Sequence, residues 1–539
     1  MKLGQYQSHV NDELASLAEK RIVERIWAGD FTVWSSGPEE IVDRLDWLNV
    51  SENMVGEIRL ITQFAEEIKD GGYRHVVLLG IGGSSLGPES LGQIFGSAPG
   101  YPELIVLDSS VPDRVQAVEK RIDPRKTLFL VSSKSGTTIE PKVCYEYFRQ
   151  IVEDAVGLDK VADHFVAITD PGTWLSETGV NYLFRRVFEN PPEMGGRYSV
   201  LSYFGLVPAA LIGVQIESLL DKANQMRSDC SENVSFQDNP GLIFGSTVGS
   251  LALAGVDKCT IIASTPIAYF GLWAEQLIAE SLGKQGKGVV PITGEPALAY
   301  DLYGNDRMFV YLRLEGEDNS RLDRSIELLV EAGKPVITLT LYDLYDIGAE
   351  FFRWEFATAV AAAVIGVHPF DQPNVQNAKD ITNRLLVDFE SSGVLPIPDE
   401  SLSILELLSS VGNGDYVAIM LYSDMTPAHD RAIEQLRMTI TERFGVATTF
   451  GYGPRVLHST GQLHKGGPNS GVFIQLVTSG VPDISIPGRP YSFGVLVAAQ
   501  VLGDMENLKS EGRRVALLDV GTDVDKSISA LETLIANTG

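Results

Sequence analysis

From His75 the chain runs as HVVLL, an unbroken apolar stretch that closes on GIGG, and the same form returns in ELIVLD, TLFLVSSKSG and HFVAITDPG. Short apolar runs bounded by glycine, serine and aspartate are the pattern of strands buried on both faces. Stretches of helical spacing lie between them, among them residues 141–152, so strand, loop and helix alternate. This alternation predicts a parallel, doubly wound α/β sheet with its site at the C-terminal ends of the strands. The residues before position 70 read as helical and are expected to pack alongside.

A second unit of the same kind begins near Gly241. It consists of the strand CTIIAS, a helix over residues 269–282, RMFVYLRLEG, a helix over 322–332, PVITLTLY and a long helix over 355–367. After position 400 come DYVAIMLYS, a helix over 431–443, VATTFGYG, GVFIQLVTS and a helix over 493–502. The order of elements, more than any shared residue, makes this a weak internal repeat. Residues 388–413, rich in Ser, Pro and Gly, are the linker candidate. The predicted fold is therefore α/β, with two doubly wound parallel-sheet domains and a further α/β C-terminal extension. The expected division is a helical segment at 1–70, domains at 71–235 and 236–390, and the extension at 391–539.

Composition narrows the chemistry. A chain of 539 residues, 44% hydrophobic and 21% charged, is long enough for several packed cores. A net charge of −28 repels nucleic acid and anionic membranes, so neither is an expected partner, although a few cations can still hold a small anion locally. Cys144, Cys230 and Cys259 are widely spaced and form no CxxC pair, which argues against a disulfide framework or a zinc site and for a reducing compartment. Residues 1–5 show no basic region leading into an apolar stretch, and the apolar runs at 356–367 and 200–214 are too short, or too interrupted by Tyr203 and Pro208, to span a membrane. A soluble, cytoplasmic protein is expected.

Two loops carry candidate chemistry. Gly80, Gly82 and Gly83, followed by Ser84 and Ser85, place small residues directly after a strand, where backbone amides can meet a phosphate or sugar. The same pattern serves as a plain strand-to-helix turn. It also invites a dinucleotide, because Asp108 ends the next strand where a ribose-binding acid would sit, yet the glycines do not spell GxGxxG. The second loop, Ser132-Ser133-Lys134-Ser135-Gly136-Thr137-Thr138, sets five hydroxyls and a lysine in seven residues before a helix start. Such a donor-rich turn suits a terminal phosphate, and equally supplies ordinary turn and cap residues.

Both loops resemble those of the sugar-isomerase (SIS) fold, and four further segments resemble signatures of the glucose-6-phosphate isomerase family. These are GGRYS at 195–199, AEQLIAESLGKQGKG at 274–288, FDQPNVQNAK at 370–379 and LHSTGQLHKGG at 457–467. The resemblance covers residues 70–385 and becomes patchy beyond, where the chain looks most like the isomerase part of transaldolase-isomerase fusions; no transaldolase domain fits. It implies reversible isomerisation of glucose 6-phosphate to fructose 6-phosphate through ring opening and an enediolate, with no cofactor and no metal.

The resemblance implies the roles residue by residue. Glu280 matches the base that moves the proton between C2 and C1. Gln276, one turn earlier on the same helix face, also addresses the sugar, and Gly283 ends that helix, leaving Glu280 near its negative dipole end. Arg197 matches the arginine beside the enediolate oxygens, although alone it could be a structural ion pair. Lys379, delivered by a turn at Pro373 and Asn374, matches the lysine that helps open the ring. His458 matches the histidine that handles the ring-oxygen proton, a task suited to imidazole. The family places its histidine segment before its lysine segment, whereas His458 follows Lys379. His368 and His464 are therefore weighed beside it, His368 as a core histidine. Gly82, Gly83, Ser84, Ser133, Lys134, Ser135, Thr137 and Thr138 are expected to hold the substrate, chiefly its phosphate. A dual glucose and mannose phosphate isomerase, a non-catalytic sugar-phosphate sensor and a nucleotide-dependent oxidoreductase are the rivals, and a homodimer is left open.

Overall fold

A computed structural model describes residues 1–396 and 402–537. The first apolar runs form five parallel strands: β1 (His75–Leu79), β2 (Glu103–Leu107), β3 (Thr127–Ser132), β4 (Phe165–Thr169) and β5 (Arg186–Glu189), ordered β2-β1-β3-β4-β5. The winding reverses between β1 and β3, whose ends are level in the register Leu79↔Val131. A crevice opens at such a reversal because the connecting loops depart in opposite directions.

A second parallel sheet contains β6 (Lys258–Ala263), β7 (Val290–Ile292), β8 (Arg307–Leu314) and β9 (Val336–Leu341) in the order β7-β6-β8-β9. A third contains β10 (Tyr416–Tyr422), β11 (Ala447–Tyr452), β12 (Gly471–Val477) and β13 (Arg514–Asp519) in the order β11-β10-β12-β13. The two share one winding, the topological form of the repeat seen in element order. Strands β5, β7 and β13 escaped the sequence pattern because β5 and β7 are very short and β13 is introduced by charged residues.

Seven helices frame the crevice and its supports: α1 (Leu86–Phe95), α2 (Ile139–Val156), α3 (Phe270–Leu282), α4 (Ile347–Ile365), α5 (Pro373–Ser392), α6 (Gly461–Gly466) and α7 (Phe493–Ser510). Helix α4 begins eight residues before the predicted 355, since its aromatic and alanine residues are buried nearly all round and leave no polar stripe to mark the start. The turn predicted at Pro373 and Asn374 is the first turn of α5. Proline suits that position because its missing N–H has no helical partner there, and Gly393, at φ 72°, closes the far end. The first residues of the predicted linker, 388–392, therefore belong to α5, and Ile404–Ser409 is a helix; the linker's residues 397–401 lie outside the described residues. Among the described residues no helix is long and apolar enough to cross a membrane.

The N-terminal residues are helical, and the helix Ile58–Asp70 buries Ile61, Phe64, Ala65 and Ile68, one face at helical spacing, in a core shared by the first two sheets. On the other face of the first sheet, Ile381 and Leu385 of α5 and Phe493 and Leu496 of α7 pack with Val77 and Phe129. Ala279 of α3, with Val290 and Ile292 of β7, joins the third sheet through Met420 and Phe473. This packing brings α3, α5 and the single turn Arg455–His458 over the ends of β1 and β3.

Candidate active site

After β1 the chain makes a tight turn at Gly82–Ser84. Gly82 sits at φ +60°, and a side chain there would stand 2.8 Å from the His458 carbonyl oxygen. A β-carbon on Gly83 would come within 2.1 Å of the Gly196 carbonyl oxygen. These glycines let the Arg197 loop and the His458 turn close against the first sheet, in addition to any contact with a ligand.

The hydroxyl-rich loop leads from β3 into α2, with Thr138 as the extended residue before the helix and no side-chain cap. Ser135 Oγ and Thr137 Oγ1 lie 2.9 Å apart, and Ser133 Oγ donates to Thr138 Oγ1 at 3.3 Å. Amides at the start of an eighteen-residue helix face the same end. Lys134 is committed to a salt bridge with Asp170 and donates to the Pro192 carbonyl at 2.9 Å.

Across the crevice, α3 presents Glu280. Its Oε1 is 3.0 Å from Arg197 Nη1, and its Oε2 accepts from Gln276 Nε2 at 2.9 Å. Arg197 is buried and fixed on every side: Nε donates to Ser281 Oγ at 2.8 Å, and Nη2 donates to the carbonyls of Pro369 and Asp371 at 2.5 and 3.0 Å. Behind it the Lys284 ammonium meets Asp371 Oδ1 at 2.6 Å. Burial and the neighbouring Arg197 charge push Lys284 down to about 7, against the pull of Asp371.

His458 lies at the end of the Arg455–His458 turn, and its Nε2 is 3.0 Å from Glu140 Oε1. That oxygen also accepts from Gln500 Nε2 at 2.6 Å. Burial raises the Glu140 carboxyl, but the charge and hydrogen bond of His458 outweigh it and hold the group below the ordinary carboxylate value. A carboxylate on Nε2 holds a proton at that nitrogen and leaves Nδ1 as the nitrogen turned away from Glu140. The other two histidines are otherwise engaged. His368 Nδ1 accepts from the amides of Phe370 and Asp371 at 3.1 and 3.2 Å, so its Nε2–H donates to the Glu39 carbonyl at 3.1 Å. His464 is buried against Tyr416 and Phe473, where burial and the Lys465 charge hold its imidazole well below its usual value.

A cleft of about 490 Å³ is lined by Gly82, Gly83, Ser84, Lys134, Ser135, Thr138, Arg197, Gln276, Glu280, Lys379 and His458 together. Lys379 is two turns into α5 and makes no ion pair among the described residues. Ser133 is buried behind the loop, and Thr137 lines an adjoining hollow of about 220 Å³ with Gln500 and Thr382. Glu140 and Gln500 were not singled out from sequence, nor were Glu40, Arg44 and Asp170 at the cleft wall. For Glu140 one signal was present, an acid in the first turn after the hydroxyl loop. Asp108 is fully buried, ion-paired to Arg455 and hydrogen-bonded to Ser85, so it is not available to a ribose.

Residues 41–290 match the family model described as Phosphoglucose isomerase. A probable glucose-6-phosphate isomerase of Methanococcus maripaludis is 30% identical over 362 residues, 58% of this chain and 79% of that protein. The chain belongs to the phosphoglucose isomerase family. A family member from Staphylococcus haemolyticus, named glucose-6-phosphate isomerase, is 27% identical over 431 residues, 71% of this chain and 93% of the relative. The fold agrees with a crystal structure of a glucose-6-phosphate isomerase from Chlamydia trachomatis, at a TM-score of 0.60 and 21% identity over 70% of this chain and 86% of that one. The family model stops at residue 290, so Lys379 and His458 lie beyond its match.

Proposed function

We propose that this chain interconverts glucose 6-phosphate and fructose 6-phosphate by proton transfer, without metal or cofactor. The observation that carries the proposal is the Glu280 carboxylate, held at one oxygen by Arg197 and at the other by Gln276 on the wall of a cleft that Lys379 and His458 also line. Ser135, Thr138, Ser84 and the amides opening α2 hold the phosphate. His458, steadied at Nε2 by Glu140, takes the C1 hydroxyl proton at Nδ1 and passes it to the ring oxygen as the bond from C1 to that oxygen breaks, with the Lys379 ammonium beside it. Glu280 then takes the proton from C2 and returns it to C1. The Arg197 guanidinium faces the enediolate oxygens between the two transfers, and because it is already fixed by four partners it needs no reorganisation when that charge appears.

A coupled assay of the purified chain, following both directions of the interconversion, tests the proposal. Binding of both sugar phosphates without turnover would make the protein a sensor instead, and NAD-dependent oxidation of either would make it an oxidoreductase.

A further inference from the structure

His458 belongs to the third-sheet unit, yet it works against loops of the first sheet, so something must set the register between them. Among the described residues, the charged link at its turn besides the His458–Glu140 pair is Arg455, three residues earlier. Arg455 Nη2 is 2.5 Å from Glu89 Oε2 of α1 and 2.9 Å from Asp108 Oδ1 after β2, while Nε is 2.6 Å from Asp108 Oδ2. The three side chains are 10%, 16% and 0% exposed. Asp108 Oδ2 also accepts from Ser85 Oγ at 3.1 Å, so one carboxylate ties the glycine loop to the histidine turn. None of the three lines the substrate cleft. The remaining holds on the turn are neutral or belong to the reaction: Gln276 Nε2 donates to the His458 carbonyl at 2.9 Å, and Glu140 meets the imidazole.

We infer that Arg455 is a positioning residue for ring opening, docking the His458 turn onto the first sheet through Asp108 and Glu89. The inference rests on the proposed isomerase reaction. Its physical basis is that a guanidinium fork, one buried carboxylate and one half-buried one tolerate only one register: a turn displaced by a fraction of its length would leave these charges unpaired, whereas displaced apolar contacts could repack.

Removing Arg455 alone would leave the buried Asp108 and half-buried Glu89 carboxylates unpaired, so the informative variant is the neutral triple Glu89→Gln, Asp108→Asn, Arg455→Met. With native circular dichroism, it is expected to lose about 10- to 100-fold in kcat on glucose 6-phosphate, the scale of a misplaced acid-base group. KM, and inhibition by the acyclic 6-phosphogluconate, which needs no ring opening, should stay within about threefold, since neither depends on where the imidazole sits. Adding His458→Asn to the triple should cost little more than His458→Asn alone, the non-additivity of groups acting as one. Arg455→Lys, which keeps the charge but not the fork, should fall between, and serves if the triple fails to fold. A wild type unable to interconvert the two sugars sinks the proposed function and this inference together. An active wild type whose triple variant, or Arg455→Lys, keeps full kcat sinks the inference alone. So does a triple whose loss multiplies with that of His458→Asn, or one that weakens 6-phosphogluconate as much as kcat.

Discussion

The two walls of the cleft, on which the proposed reaction places its proton transfers, are built with opposite charges. On α3 a carboxylate, Glu280, is met by a guanidinium and an amide that come from its own unit and the first-sheet loop; on the far wall an imidazole, His458, is met by the carboxylate of Glu140. Each side chain thus has a partner of complementary charge. The sides also differ in origin. The pair on α3 is held by backbone carbonyls around Arg197, while the histidine pair joins residues 318 positions apart, so its geometry depends on how whole sheets dock.

The largest effect expected from breaking this arrangement is at Glu280. Glu280→Gln keeps the contacts' shape but cannot accept a carbon-bound proton, and turnover should fall by at least about 10³-fold with phosphate inhibition unchanged. A variant of near-normal rate would remove Glu280 from its role. On the other wall, His458→Asn and Glu140→Gln should each reduce kcat on glucose 6-phosphate by about 10- to 100-fold while leaving 6-phosphogluconate inhibition in place. His368→Asn should instead lower melting temperature, since both its nitrogens serve backbone. If His368→Asn is the one that stops catalysis, the late position of His458 in the chain was the better guide.

A smaller effect is expected at the hydroxyl loop, the proposed phosphate end. Ser135→Ala with Thr138→Ala should weaken glucose 6-phosphate, fructose 6-phosphate and inorganic phosphate alike, each lost bond to the anion being worth about 1.5–3 kcal/mol. Unchanged inhibition by inorganic phosphate would put the anion elsewhere.

The smallest concerns what an acid on α3 does without a close ion pair. Glu275, five residues before Glu280, accepts from Thr293 Oγ1 at 2.6 Å, and burial pushes it up to about 7 against the pull of that bond and of Arg437. A carboxyl raised in the folded state contributes stability that is present at acid pH and lost as pH rises from its unfolded value toward 7. Wild type should therefore lose stability relative to Glu275→Gln between pH 4.5 and pH 8 in urea titrations. A constant difference across that range would show that Glu275 is as well compensated as its neighbour.

The first two sheets were legible because buried parallel strands read as apolar runs between glycine and serine turns, as at residues 75–83 and 127–138. The length of α4 was not, since a helix buried on all sides has no period to mark its ends, and α5 was masked by a proline that signals a turn and a helix start equally well. Within the site, residues carried by compact motifs could be named from sequence: Arg197, Glu280, Lys379 and His458 all line one cleft. What could not be named were the partners. Nothing in the spacing announces that Glu140 meets His458, that Gln500 meets Glu140, or that Arg455 pairs with Glu89 and Asp108, because those contacts are made by the docking of separate sheets.

The near-contact of Gly83 and Gly196 has a bearing on which molecules fit. Where two loops meet backbone to backbone, with no room even for one methyl group, no rotamer change can widen or narrow the gap. The glycine loop and the Arg197 loop are thus held at one separation by main chain alone, whatever rotamers line the cleft between them.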